Sequence, residues 1–260
     1  MLLAVDIGNT NIVFALCEGD TIRAQWRIHT DAHRTADEYA VWLLTLMAHA
    51  QLKADQVQAA IISSVVPEAN FAVKSFVRGY FPCEPTVVAS GESDFGMEIR
   101  IDHPRELGAD RILNAFAAWT AYREPLIVLD FGTATTFDVV SSAGEYIGGV
   151  IAPGINLSLE ALQKAAAKLH GIAITHPATV IGRNTTAAMQ SGIFYGYTGL
   201  IEGIVARIKA ERGEAMKVIA TGGLAPLYAG ASPMIDRVDA DLTIRGLLLM
   251  HARAGSKETK

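Results

Sequence analysis

The stretch Met1-Leu2-Leu3-Ala4-Val5-Asp6-Ile7-Gly8-Asn9-Thr10-Asn11 decides how this chain is read, because its plan returns at Leu126-Ile127-Val128-Leu129-Asp130-Phe131-Gly132-Thr133-Ala134-Thr135. Each copy is an apolar run of strand length that ends on an aspartate, a glycine and a cluster of hydroxyl or amide side chains. A second strand-like run follows in both. Ile12-Val13-Phe14-Ala15-Leu16 leads to the turn Cys17-Glu18-Gly19-Asp20, and Thr136-Phe137-Asp138-Val139-Val140 leads to Ser141-Ser142-Ala143-Gly144. Two hairpins with the same polar bend predict a duplicated domain that holds one anionic ligand between its halves.

The bend chemistry narrows that ligand. Gly8 and Gly132 permit close backbone approach, and Asn9, Thr10, Thr133 and Thr135 set side-chain donors beside backbone N–H groups, which is how a loop cradles phosphate. Asp6 and Asp130 cannot donate to a phosphate and would repel it, so their presence requires cations or metal-bound water in between. A single Asp-x-Gly after a strand is equally well an ordinary turn; the repetition is what argues for a ligand.

Composition excludes several classes. The chain has 260 residues, 50% hydrophobic and 19% charged, enough for two compact cores. A net charge of −5 with no basic run argues against a nucleic-acid surface. No uninterrupted apolar stretch of about 18 residues predicts a membrane span, and the chain opens directly on the first motif strand rather than on a leader. Cys17 and Cys83 do not form a CxxC pair. Together these features predict a cytoplasmic protein without structural disulfides or thiolate zinc.

Periodicity predicts a third strand over 21–28, a helix over 36–52, a strand over 57–66, a helix over 68–81, a strand over 85–89 and a helix over 107–122. In the second half it predicts a strand over 146–151, helices over 157–169 and 185–212, strands over 217–220 and near 236–238, and a last helix over 243–254. This order, given twice, predicts an α/β protein of two mixed sheets with an interdomain cleft. The domains are placed at 1–116 and 117–260, with the last helix able to pack back on the first. GxxxxGK[ST], GxG, HExxH and GxSxG are all absent, and His29 with His33 reads as a surface pair.

Gly108-Ala109-Asp110-Arg111, Gly148-Gly149-Val150-Ile151-Ala152-Pro153-Gly154, Gly182-Arg183-Asn184-Thr185 and Thr221-Gly222-Gly223, taken with both bends, resemble type III pantothenate kinases. That family belongs to the acetate and sugar kinase, Hsp70 and actin superfamily, so the resemblance implies duplicated actin-like (ribonuclease H-like) domains. It also implies ATP-dependent phosphorylation of the primary hydroxyl of pantothenate, the first step of coenzyme A synthesis, by a homodimer.

Site roles follow from the resemblance. ATP contacts fall on Asp6, Ile7, Gly8, Asn9, Thr10, Asn11, Ile12 and Val13 and on Thr133, with Asp6 acting through Mg2+ and water. Asp130 is the ligand of a monovalent cation, K+ or NH4+. Gly108, Ala109, Asp110, Arg111 and Thr185 contact pantothenate, and Asp110 is the general base. From the residues alone, Asp110 reads as a helix-capping carboxylate before it reads as a base, and Thr185 as the N-cap of a long helix. Thr221-Gly222-Gly223 reads either as an adenosine contact or as a tight strand-to-helix turn. One position departs from the family: seven residues before Gly108, where relatives commonly carry a tyrosine, stands Ile101. Phosphate loops do not specify an acceptor, which keeps open another small-molecule kinase of the superfamily. A non-catalytic regulatory relative is the other alternative.

Overall fold

The structure is a computed structural model and describes residues 1–89, 95–165 and 172–258. It divides into two units. The first comprises residues 1–97, 102–117 and 242–260, and the second comprises 98–101 and 118–241.

In the first unit a five-stranded mixed sheet runs in the order β3 (Thr21–His29), β2 (Asn11–Glu18), β1 (Leu2–Ile7), β4 (Ala59–Ser64), β5 (Pro85–Val88). The central strand β1 is apolar almost throughout because both of its faces are covered. On one face, α1 (Ala36–His49) and α2 (Pro67–Tyr80) enclose Phe14, Tyr39, Leu43, Val73 and Phe76. On the other, α7 (Leu242–Glu258) meets β1 and β4. The start of α1 is fixed by a capping box in which Thr35 and Glu38 satisfy each other's backbone N–H groups. The edge strand β3 shows strict alternation of exposed and half-buried residues.

The second unit repeats the plan. Its sheet runs β8 (Tyr146–Pro153), β7 (Ala134–Val140), β6 (Leu126–Phe131), β9 (Lys217–Gly222), β10 (Arg237–Val238). Every strand occupies the place of its counterpart, and the burial pattern of β6 matches that of β1 and that of β9 matches that of β4. The core joins Ile127, Leu129, Phe137 and Val218 to the long helix α5 (Thr185–Arg212) and to Tyr228 of α6 (Ala225–Ala229). Helix α3 (Ala109–Tyr122) begins in the first unit and finishes in the second.

Element boundaries depart from the sequence reading mostly at ends. The strand expected over 57–66 shrinks to β4, and the helix expected over 157–169 begins two residues earlier as α4 (Ile155–Ala165), with 166–169 outside the described residues. The short helix α6 carries no periodic signal; it follows Thr221-Gly222-Gly223, as the strand-to-helix reading of that turn implies. A sharper correction concerns the hairpins. The last ladder pair of the first, Ile7↔Ile12, encloses Gly8, Asn9, Thr10 and Asn11, whereas the last pair of the second, Phe131↔Thr135, encloses only Gly132, Thr133 and Ala134. The copies therefore slip by one residue at the bend.

Candidate active site

In the first unit the end of β1 carries Asp6. Antiparallel pairing sets it opposite Val13 and parallel pairing sets it beside Ser63 of β4, whose hydroxyl donates to Asp6 Oδ1 at 2.7 Å. Desolvation by the surrounding protein pushes the Asp6 carboxyl up to about 6; Ser63 opposes the shift, the nearby Asp110 carboxylate adds to it and Arg27 opposes it. The bend that follows closes on itself, with Gly8 N–H donating to Asn11 O at 3.0 Å. Thr30, just past β3, clasps it from outside: its hydroxyl donates to Gly8 O at 2.6 Å and its N–H to Thr10 O at 2.9 Å. Asn9 and Thr10 stand exposed at the tip.

Asp110 lies in the first turn of α3 in the same unit. Its side chain folds back over the helix start, where the Arg111 N–H donates to Asp110 Oδ1 at 2.8 Å. A Cβ at position 108 would lie 2.5 Å from that oxygen, so glycine is needed there for the carboxylate to sit as it does. Burial raises the Asp110 carboxyl above the ordinary aspartate range, while the Arg111 amide and guanidinium act in the opposite direction. Both readings of Asp110 survive this geometry, because a carboxylate that accepts the backbone N–H groups of Arg111 and of its own residue retains lone pairs for another donor. The structure thus brings Asp6, Ser63, Gly108 and Asp110 together.

In the second unit Asp130 ends β6 in the place of Asp6, beside Thr221 of β9 and opposite Thr136 of β7. Gly222, at φ +91°, is pressed against it: a Cβ there would stand 2.8 Å from Asp130 Oδ1 and 2.6 Å from Phe131 O. Thr221-Gly222-Gly223 is therefore held by backbone contact with the Asp130 bend. Thr133 is exposed at the tip, and its carbonyl accepts from Gly154 N–H at 3.1 Å. Gly154 lies so close to Gly132 and Thr133 that no side chain fits, which accounts for the end of the Gly148 to Gly154 segment. Ile101, at the departure from the family pattern, lies beside Gly148.

Thr185 does not cap α5. Asn184 does, its side chain accepting from Ala187 N–H at 2.8 Å, and Thr185 stands exposed as the first helical residue. An amide at the N-cap leaves the threonine hydroxyl for another partner. Ser63 and Thr30 were missed by the sequence reading. Ser63 sits 57 positions from Asp6, at the end of an apolar run, and only the parallel register of β1 and β4 reveals the pairing.

A family model described as type III pantothenate kinase matches residues 2–207. The chain belongs to that family. A type III pantothenate kinase from Paramagnetospirillum magneticum is 60% identical over 253 residues, with 97% of each chain covered. One from Rhodospirillum rubrum is 56% identical, covering 97% of this chain and 98% of its own. Among solved structures, a conserved protein from Campylobacter jejuni described as a Baf family transcriptional activator is similar with a TM-score of 0.61 at 21% identity, covering 98% of this chain and 99% of its own. A 2-dehydro-3-deoxygalactonokinase-like protein from Sinorhizobium meliloti gives 0.59 at 16% identity, covering 98% and 96%. At those identities the structural matches speak for the fold, the duplicated α/β arrangement of the actin-like kinases, and the family match speaks for the chemistry.

Proposed function

We infer that this type III pantothenate kinase family member transfers the γ-phosphoryl group of ATP to the primary hydroxyl of pantothenate, giving 4'-phosphopantothenate for coenzyme A synthesis. The observation that carries the residue-level reading is that the Asp6 carboxylate at the end of β1 and the Asp110 carboxylate in the first turn of α3 are near enough for Asp110 to raise Asp6.

Phosphoryl transfer asks a protein mainly to position groups and to offset charge. Asp110 acts as general base: its carboxyl is raised by burial toward the range in which it can hold a proton taken from an alcohol, and the Arg111 N–H fixes its orientation. Arg111, Gly108 and Ala109 line the same helix start and contact pantothenate, with Thr185 as a further contact. Asp6, Ile7, Gly8, Asn9, Thr10, Asn11, Ile12 and Val13 form the first phosphate loop, and Thr133 contacts ATP from the second. A divalent cation fits beside Asp6, because a carboxylate raised by desolvation is eased by positive charge, and Mg2+ there would neutralise the triphosphate. Asp130 suits K+ or NH4+, since its ladder neighbours Thr136 and Thr221 both carry hydroxyl oxygens.

A homodimer and a cytoplasmic location complete the reading. Gly192, Gly196 and Gly199 of α5 face open space in the single chain, which leaves room for a second helix, and Ile151, Leu157, Val180 and Ile181 are exposed apolar residues of the same unit. Cys17 and Cys83 form no disulfide, as a reducing compartment favours.

The decisive experiment is coupled ADP release with purified protein, MgATP and a panel of alcohols, run with K+ or NH4+ exchanged for Na+. Turnover restricted to pantothenate and dependent on K+ or NH4+ is expected. Turnover of a sugar with none of pantothenate would overturn the acceptor, and equal rates in Na+ would overturn the monovalent site.

A further inference from the structure

Behind Asp130 the second sheet carries a buried polar row that the first lacks. Asp138 on β7 is fully buried, and Tyr146 of β8, 1% exposed, donates its hydroxyl to Asp138 Oδ1 at 2.6 Å. Thr136, two residues earlier and on the same face, donates its hydroxyl to Asp138 Oδ2 at 3.0 Å. In the first unit the ladder positions of Thr136 and Asp138 are held by Val13 and Ala15. Burying a carboxylate in a sheet is costly unless donors satisfy it; Tyr146 and Thr136 supply such donors, and of the two it is Thr136 that stands between Asp138 and the ladder position of Asp130.

A threonine hydroxyl has one proton and two lone pairs. With the proton committed to Asp138, the Thr136 oxygen offers only lone pairs to whatever lies on its other side. That side holds Asp130, the ladder partner of Thr136, with Cβ atoms about 5 Å apart in such a pair. Two oxygens that only accept, side by side at a strand end, suit a weakly hydrated monovalent cation and repel a hydrogen-bonding anion.

We propose that Thr136 supplies an acceptor oxygen to the monovalent cation at Asp130, and that Asp138, held by Tyr146, is the positioning residue that keeps the Thr136 hydroxyl turned the right way. The proposal rests on the reading of Asp130 as a monovalent-cation ligand and adds the residues that set its polarity.

The test compares Thr136→Val, Thr136→Ser, Asp138→Asn and Tyr146→Phe with the unaltered protein. Two measurements are made: the rise in melting temperature produced by KCl over choline chloride at fixed ionic strength with ADP present, and the K+ concentration that half-activates turnover. Thr136→Val and Asp138→Asn are expected to lose most of the K+-induced rise and to raise half-activation about 10- to 100-fold, the usual effect of removing a ligand's supporting partner. KM for pantothenate should stay within about threefold, since a cation-site defect that K+ can refill leaves acceptor binding alone. Thr136→Ser keeps the oxygen and should behave like the parent, and Tyr146→Phe should fall between. If Asp138→Asn does not fold, the Val and Ser pair still decides. Equal K+ responses in Thr136→Val, Thr136→Ser and the parent would overturn the proposal. If the parent itself shows no preference for K+ over choline in either measurement, the cation reading of Asp130 fails, and this proposal with it.

Discussion

The bend after Asp6 and the bend after Asp130 stand on the same scaffold, yet they house their carboxylates differently. The strands leading into and flanking them agree in order and in burial pattern. Around Asp6, one neighbour is the hydroxyl of Ser63 and the other is Val13, and the carboxyl is pushed up by desolvation with Asp110 adding to the rise. Around Asp130 the neighbours are Thr136 and Thr221, with buried Asp138 behind and Gly222 pressed on top. The apolar face of each sheet, which makes the core, has kept one pattern. The polar strand ends, which packing does not dictate, have diverged into what we read as a base-and-Mg2+ site and a monovalent-cation site.

The largest expected effect tests that division. Asp110→Asn should lower kcat by about 10² to 10⁴ with no recovery at high K+, whereas Asp130→Asn should recover part of its loss as K+ or ATP is raised, both read by coupled ADP release. Recovery of Asp110→Asn by cations would erase the contrast.

A second test concerns how tightly each carboxylate is enclosed. The ladder place of Gly222 in the second unit is held by Ser64 in the first, opposite Ile7, where a side chain is accommodated. Gly222→Ser combines a positive φ with a Cβ that would stand within 2.6 Å of the Phe131 carbonyl. It should cost about 2 to 4 kcal/mol of unfolding free energy in a urea titration, while Ser64→Gly should cost under about 1 kcal/mol. Comparable losses would mean that the two strand ends are equally crowded.

The smallest effect is electrostatic. An unfolded aspartate ionises near 3.8, and folded Asp6 near about 6. Between those values the unfolded chain carries fewer protons, so the contribution of Asp6 to stability falls as pH rises from about 4 to about 6. Asp6→Asn escapes that loss. Without nucleotide or divalent cation, its stability relative to the parent should rise by on the order of 1 to 2 kcal/mol from pH 4 to pH 7. A flat difference across that range would show that the first bend does not strain its carboxylate.

Much of the fold was legible in residue order. The paired hairpins, the central strands and the span of α5 follow from apolar runs, alternation and end signals that act within a few residues, and α5 has the bounds its pattern predicts, 185–212. The candidate site was legible only in part. Asp6, Asp110 and Asp130 announced themselves by repetition and by family resemblance. Ser63, Thr30 and the Asp138 row did not, because a lone serine, threonine or aspartate in a strand looks the same whether it meets solvent, a core or a carboxylate.

The sequence by itself determined that there would be two strand-bend-strand units of like plan, since hydrophobic periodicity is a local property that each segment carries with it. Only the tertiary structure decided which residues would meet at the strand ends. Parallel pairing joins Asp6 to Ser63 and Asp130 to Thr221 across long stretches of chain, and the one-residue slip at the second bend sets Thr136 rather than Phe137 opposite Asp130. The physical reason is that alternation fixes which face a side chain takes, while register, settled by the packing of whole sheets, fixes its neighbour.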